Sequence, residues 1–379
     1  MQHVIVLGGG MVGRVIAKDL ATDRHIKVSV VDKDPGVLAR ISSEAPIDTI
    51  QADLSNPQRV ETVVGECDLV IGAVPGFLGF QTLRAVLNAG KNYCDISFFP
   101  EDGLELDALA RAKRVTAVVD CGVAPGMSNM IVGRAHAELD ATSEVLILVG
   151  GLPEARLWPY EYKAPFSPID VIEEYVRPAR CRRDGQIVTL PALSEPELVN
   201  IPGVGVLEAF NTDGLRSLLK TIDAPNMKEK TLRYPGHAEK MRVLRETGFF
   251  RSDPVEIDGM KVRPIDLTSR LLFPMWRLGK GEEEFTVMHV EVGGIKDGKN
   301  VKHVYDLLDK TDIATDTSSM ARTTGFPCAI VARILLAGEY ERKGVVPPEW
   351  LGRERPLFDK VMSQLHSRRV VFRHSSQGD

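Results

Sequence analysis

Residues 4–20 read VIVLGGGMVGRVIAKDL. A run of β-branched and aliphatic residues leads directly into G-x-G-x-x-G at Gly8, Gly10 and Gly13, and an amphipathic helical pattern follows. Each glycine meets a separate demand: Gly8 permits a tight turn, Gly10 lets the backbone approach a pyrophosphate, and Gly13 lets helix and strand pack closely. The pattern alone is weak and also fits a glycine-rich turn in a fold without a nucleotide. Set between a strand and a helix, it reads as a dinucleotide fingerprint, with the helix start at Met11 and Val12 facing the phosphates.

The same rhythm continues outward. Apolar runs recur at KVSVVD (27–32), IDTIQAD (47–53), CDLVIGAV (67–74), KNYCDI (91–96) and VTAVVD (115–120), separated by helical patterns. Unbroken apolar strands alternating with amphipathic helices imply a parallel sheet covered on both faces, hence a doubly wound α/β Rossmann domain over residues 1–125. Pro35 and Pro57 mark helix starts, and the NAG at 88–90 marks a helix end.

Asp32 closes the second strand, nineteen positions after Gly13. A carboxylate there takes both ribose hydroxyls and repels a 2′-phosphate, which favours NAD over NADP; Lys33 beside it works the other way. ADL (Ala52, Asp53, Leu54) is placed to flank the adenine, and Ala73, Val74 and Pro75 the ribose and diphosphate. Val123 completes the expected cofactor contacts. Asp53 equally suits a helix cap or turn.

Beyond residue 126 strand-like runs such as SEVLILVGGL (143–152) and EFTVMHVEVGG (284–294) dominate, separated by turn signals DGQ, IDGMK and KDGK. They predict a second, α+β domain over 126–324, with a mainly antiparallel sheet that also offers a surface for a homodimer or higher homo-oligomer. The apolar stretch TTGFPCAIVARILLAGEY (323–340) predicts a buried helix starting near Pro327, capped by Thr323 or Thr324, with 325–379 packing back on the first domain. The closing HSSQGD predicts disorder, and the glycine pairs of VGGLP and VEVGG predict bulges or turns.

The net charge of −5 gives no pull toward nucleic acid or anionic lipid. No apolar run approaches the ~18 residues of a membrane span, and the N-terminus lacks the basic region of a signal peptide. Five cysteines, at 67, 94, 121, 181 and 328, occur singly. They point to reduced thiols in the cytoplasm and away from structural zinc. The histidines are too scattered for a metal site, so no metal is expected.

The blocks DCGVAPGMSNM (120–130), LVGGLP (148–153), LEAFNTDGL (207–215), KTLRYPGHAEK (230–240), EVGGIKDGK (291–299) and TTGFPCA (323–329) together resemble the saccharopine dehydrogenase-like oxidoreductases. Within that family the sequence looks most like the lysine 6-dehydrogenases. Saccharopine-forming members carry an acidic residue where this chain has Ala124. The resemblance implies an NAD-dependent oxidative deamination of the terminal amine of L-lysine, giving a semialdehyde that cyclises to a piperideine carboxylate. A saccharopine or carboxy-polyamine type C–N oxidoreductase is the alternative. A dinucleotide-sensing regulator without turnover is a third reading, because a Rossmann domain alone does not prove catalysis.

That chemistry suggests roles. Arg233 suits a carboxylate clamp, since its planar fork matches a carboxylate, though a surface salt bridge would explain it too. His237 suits a base or second carboxylate donor, or else a helix cap. Asp95 and Asp120, after the fifth and sixth strands, are candidates to take the amine proton, or are capping residues. Tyr162, Lys163 and Thr212 are candidate substrate contacts, with Phe166 a wall for the aliphatic stem. Arg177, Arg180, Arg182 and Arg183 would supply the second carboxylate receptor that a larger substrate needs. Cys94 and Cys121 read as small buried hydrophobes rather than nucleophiles.

Overall fold

A computed structural model describes residues 1–378. In chain order the elements are β1 (Gln2–Leu7), α1 (Met11–Leu20), β2 (Ile26–Asp32), α2 (Pro35–Glu44), β3 (Asp48–Gln51), α3 (Pro57–Val63), β4 (Leu69–Gly72), α4 (Gly76–Asn88), β5 (Asn92–Asp95), α5 (Asp107–Ala112), β6 (Thr116–Val118) and α6 (Met127–Glu138). Then come β7 (Ala141–Pro153), α7 (Pro168–Val176), β8 (Ala179–Arg183), β9 (Gln186–Leu190), β10 (Glu197–Ile201), β11 (Gly205–Asn211), α8 (Leu218–Thr221), β12 (Asn226–Arg233) and α9 (His237–Thr247). The rest are β13 (Val255–Ile257), β14 (Met260–Val262), α10 (Pro264–Trp276), β15 (Glu284–Lys296), β16 (Lys299–Lys310), α11 (Ser319–Leu336), β17 (Gly344–Val346), α12 (Pro348–Arg353), α13 (Arg355–Ser367) and β18 (Phe372–Gly378). Two compact units result: Met1–Glu138 with Ala321–Val371, and Leu139–Met320 with Phe372–Asp379.

The first unit is a doubly wound Rossmann fold. Its seven-stranded sheet runs β17-β6-β5-β4-β1-β2-β3, and every pairing is parallel. The seventh strand, β17, comes from the far end of the chain. Pro35 and Pro57 occupy first-turn positions of α2 and α3, where a missing N–H costs nothing. Helix α6 belongs to this unit because two glycines let it lie against α12. A Cβ on Gly133 would sit 2.2 Å from the Glu349 carbonyl oxygen, and one on Gly352 would sit 2.0 Å from that of Met130.

The second unit is α+β. Its main sheet runs β10-β11-β12-β7-β15-β16-β18, with β8 and β9 branching from β12. All its pairs are antiparallel except β12 with β7. The Asp-Gly signals close three hairpins: Asp184-Gly185, Asp258-Gly259 and Asp297-Gly298 each place both residues at positive φ, as the twist of a two-residue turn requires.

Several expectations need correction. Helix α11 starts at Ser319, not near Pro327, because the Glu284 carboxylate accepts the Met320 N–H at 3.0 Å and anchors the first turn. Thr323 and Thr324 therefore lie inside the helix and do not cap it, and α12 and α13 follow. Of the tail expected to be disordered, residues 374–378 lie in β18, which pairs with β16 from Leu307↔Phe372 to Val301↔Gly378, and Asp379 lies outside the described residues. Gly293-Gly294 marks a register shift in β15, as a bulge should. Gly150 and Gly151 instead allow close packing: a Cβ on Gly150 would meet the Leu232 carbonyl oxygen at 2.5 Å.

Candidate functional site

In the first unit the nucleotide fingerprint is built as its residue types require. Gly8 has φ +106°, and a Cβ there would lie 2.3 Å from the Ala73 carbonyl oxygen. A Cβ on Gly13 would lie 2.1 Å from the Gly8 carbonyl oxygen and 3.1 Å from the Ala73 Cβ. Gly10 differs, since a Cβ there meets no atom within 4 Å. Packing thus demands glycine at 8 and 13, but not at 10. No side chain caps α1 at Gly10, so the first-turn amides at Met11, Val12 and Gly13 are presented to an anion by a ten-residue helix. These features fit a dinucleotide. The Asp32 carboxylate accepts the Gly9 N–H at 2.8 Å and the Asp34 N–H at 3.0 Å, which ties the end of β2 to the glycine turn. Lys33 is exposed.

The remaining cofactor candidates divide. Asp53 is exposed, and its carboxylate closes a turn onto the Ser55 N–H at 3.0 Å, a bond that holds its carboxyl below the usual range. Leu54 and Val74 pack in the core cluster with Val70 and Leu83. Pro75 precedes α4, which like α1 has no side-chain cap. Val123 is buried.

Asp95 and Asp120 meet at the ends of β5 and β6. Asp95 is wholly buried; its Oδ1 accepts the Ser97 N–H at 3.0 Å and the Tyr93 hydroxyl at 3.2 Å, while Oδ2 has no partner among the described residues. Burial lifts this carboxyl to about 8, with the nearby Asp120 charge adding to the effect. Asp120 stands at φ +54° and is nearly buried. The folded protein holds the Asp95 proton to a higher pH than the unfolded chain, whose aspartate titrates near ~3.9. Its contribution to stability is therefore full below ~4 and is lost as pH rises through about 8. Asp95→Asn should flatten the melting temperature against pH between about 5 and 8. Glu229 and Glu284, lifted by burial to about 8 and about 7, act with the same sign, so part of the slope should persist. An unchanged slope in the variant would remove Asp95 as the titrating group.

In the second unit one strand face carries the polar chemistry. Glu229, Thr231 and Arg233 alternate along β12, so their side chains share a face, and all three are buried. A sheet face that turns inward normally carries apolar residues, since each buried polar group must recover the hydrogen bonds it gave to water. Here Glu229 and Thr231 recover them within one network. Thr212 donates to Glu229 Oε2 at 2.7 Å and shares a 2.8 Å hydrogen bond with the Thr231 hydroxyl, and Gly214 N–H donates to the same Glu229 oxygen at 3.0 Å. Burial keeps Glu229 protonated at neutral pH.

Arg233, 2% exposed, donates to Glu174 of α7 at 2.7 Å, to the Leu232 carbonyl at 2.9 Å and to the Tyr162 hydroxyl at 3.4 Å. Its guanidinium carbon lies 4.6 Å over the Tyr162 ring. Its Nε is buried and has no partner among the described residues. Burial pushes Glu174 up, and the Arg233 charge pulls it part of the way back.

His237 opens α9 after Gly236, which takes φ +86°. Its Nδ1 faces the Tyr160 carbonyl at 3.3 Å and must donate, so Nε2, 2.9 Å from the Tyr175 hydroxyl, accepts. Burial and the Arg233 charge lower the imidazole to about 3. The ring is neutral, has both nitrogens engaged and is packed against Tyr162 and Tyr175. In place of a free base, the geometry provides a neutral ring that fixes the Tyr175 hydroxyl.

Arg233, His237 and Tyr162 thus fall in or beside one network with Glu174 and Tyr175, and Thr212 in another on the same strand face with Glu229 and Thr231. Lys163 joins neither: the ammonium donates to the Arg277 carbonyl at 3.1 Å and lies 3.4 Å from Glu282. Of the four arginines of VRPARCRRDG, Arg180 forks onto Asp213, Arg182 holds the carbonyls of Leu219, Ile222 and Ala224, Arg183 pairs with Glu195, and Arg177 lies 3.7 Å from Glu173. Sequence reading missed Glu174, Tyr175 and Glu229. Only the alternation in KEKTLR, which puts a charged or polar side chain on every inward position, signalled the last. No group of histidine, cysteine or acidic residues could hold a metal among the described residues. No helix there is long and apolar enough to cross a membrane.

Residues 4–118 match the family model of the saccharopine dehydrogenase NADP binding domain, and residues 122–371 that of the saccharopine dehydrogenase C-terminal domain. The chain is 22% identical over 451 residues to the mitochondrial alpha-aminoadipic semialdehyde synthase of Mus musculus, with 99% of this chain and 48% of that protein covered. It therefore spans about half the length of that relative. It is 24% identical over 369 residues to a carboxyaminopropylagmatine dehydrogenase of Synechocystis sp., covering 91% of this chain and 92% of that one. Among solved structures, the apo saccharopine dehydrogenase (L-Glu forming) of Saccharomyces cerevisiae matches at a TM-score of 0.81 and 19% identity, each chain being fully covered at 100%. That likeness concerns the fold.

Proposed function

The chain belongs to the saccharopine dehydrogenase family, and from that premise we propose that it oxidises the carbon–nitrogen bond at the terminal amine of L-lysine with NAD. The observation that carries this reading is the buried polar row Glu229–Thr231–Arg233 on one face of β12. Such a row is buried at little cost only where its groups are hydrogen-bonded, and the one donor it leaves unspent is the Arg233 Nε. Arg233 binds the α-carboxylate, with Glu174 and Tyr162 fixing the plane of the guanidinium and its unpartnered Nε available as a donor. His237 is a positioning residue that orients Tyr175.

In the first unit Gly8, Gly10 and Gly13, with the amides that open α1, would hold the dinucleotide phosphates, and Asp32 the adenosine ribose. The family model is described as NADP binding; the Asp32 carboxylate at the end of β2 supports NAD instead. When bound, the oxidised nicotinamide supplies the hydride acceptor. An ammonium cannot release hydride from its carbon, so the amine, with a solution pKa of about 10.4, must first lose a proton. Asp95 and Asp120 are the groups we assign to take it, and an alkaline optimum follows. Water then hydrolyses the imine to a semialdehyde, which cyclises to a piperideine carboxylate.

A second reading, oxidation of a secondary amine such as saccharopine or a carboxy-polyamine, draws support from the length match to the carboxyaminopropylagmatine dehydrogenase. It needs a second carboxylate receptor, and Arg180, Arg182 and Arg183 already hold internal partners. Purified protein should reduce NAD, and NADP more weakly, with lysine. Signal with saccharopine or a carboxy-polyamine but none with lysine would favour the second reading, and tight dinucleotide binding without turnover on any amine would point to a sensor. Arg233→Lys loses the planar guanidinium and its unpartnered Nε donor. It should raise the amino-acid KM about tenfold or more, equivalent to ~1.4 kcal/mol, while the NAD KM stays within about twofold. An unchanged amino-acid KM would remove Arg233 as the clamp.

A further inference from the structure

Three cysteines that the proposed reaction does not use meet inside the first unit. Cys94 is in β5, Cys121 follows β6, and Cys328 lies in α11. Each is wholly buried. The Cys328 thiol donates to the Cys94 sulfur across 3.4 Å although the two are 234 positions apart, and Cys121 interacts electrostatically with both. One buried cysteine fills space like a small hydrophobe. Filling space does not account for three thiols from three separate elements gathered at one place.

We propose that Cys94, Cys121 and Cys328 form an internal thiol–disulfide site, in which hydrogen peroxide converts the Cys94 and Cys328 thiols into a disulfide and the proton of the attacking thiol leaves on the departing oxygen. The sulfur attacks one peroxide oxygen, the O–O bond breaks, and the departing oxygen leaves as water, so that a sulfenic acid remains. The partner sulfur then displaces that oxygen as a second water, and the S–S bond forms. Two S–H bonds and one O–O bond are lost, one S–S bond and two waters are gained, and two electrons pass from sulfur to oxygen. Closing the sulfur separation from 3.4 Å to about 2.05 Å would draw α11 toward β5 at the residue that precedes Asp95. The Asp95 carbonyl also accepts the Cys121 N–H, at 2.6 Å.

The test uses the full native chain with neither amine nor dinucleotide, so it is independent of the proposed activity. Protein treated with hydrogen peroxide is unfolded, alkylated with iodoacetamide and digested without reduction. Mass spectrometry should show two of the five thiols protected and one linked peptide pair carrying Cys94 and Cys328, reversed by dithiothreitol. Cys67 and Cys181, buried elsewhere, should stay alkylatable. Cys121→Ser should leave the identity of the linked pair unchanged, and Cys328→Ala should abolish the pair. If Cys328→Ala fails to fold, the wild-type peptide map decides alone. Five surviving thiols, a link to Cys67 or Cys181, or oxidation of single cysteines without a link would each overturn the proposal.

Discussion

Glu174→Ala is expected to lower the unfolding free energy by about 3 kcal/mol, because it leaves a buried guanidinium without its counter-charge. Arg233 is 2% exposed and cannot shed its proton, whereas Glu174 keeps 17% of its side chain in solvent. The expected loss therefore lies at the low end of the ~3–5 kcal/mol typical when one partner of a buried pair is removed. The denaturant midpoint should fall with little change in m-value. Glu174→Met combined with Arg233→Met should recover most of the loss, since the pair is then replaced by apolar residues of similar volume. A Glu174→Ala protein with an unchanged midpoint would show that the guanidinium finds water or another partner. Additive single losses in the double variant would show that the two groups are not coupled.

Gly13→Ala and Gly10→Ala should fail in opposite ways. At Gly13 the new Cβ would lie 2.1 Å from the Gly8 carbonyl oxygen, a backbone atom that cannot turn aside, so α1 must shift from the sheet. Overpacking of this kind costs about 1–3 kcal/mol, and we expect a lower melting temperature together with loss of dinucleotide binding. At Gly10 the new methyl meets no protein atom within 4 Å. The melting temperature without cofactor should hold, while the Kd for NAD rises about tenfold or more, since the methyl occupies the approach to the phosphates. Calorimetric titration with NAD separates the two effects. An unchanged Kd in Gly10→Ala would mean that the phosphates do not pass that residue.

The contrast between these sites follows the range of the interactions involved. The Rossmann order from β1 to β6 was legible because each strand and helix declares itself within a few residues, through alternation, helical periodicity and glycine punctuation. The three Asp-Gly hairpins were legible for the same local reason. Strand β17 was not: three residues, Gly344–Val346, carry no period, and only their pairing with Thr116–Val118 makes them a strand. Strand β18 reads as a polar tail until β16 supplies the partner for its backbone. Pro327 suggested a helix start, and the structure overrode it with an anchoring carboxylate from Glu284.

In the second unit the sequence singled out Arg233, His237, Tyr162 and Thr212, and the fold brought the first three into or beside one network and Thr212 into another on the same strand face. What each does there was settled by residues distant in the chain. Arg233 is paired across 59 positions by Glu174, and His237 is hydrogen-bonded across 62 to Tyr175. Lys163 is drawn away by a carbonyl 114 positions on. By itself, then, the sequence determined the two folds, the glycine cradle and the residue types that matter, because backbone sterics and periodicity are properties of neighbouring residues. Only the tertiary structure decided which charges are paired, which ring is neutral and which thiols touch, because pairing and burial depend on groups that the chain brings together only when it folds.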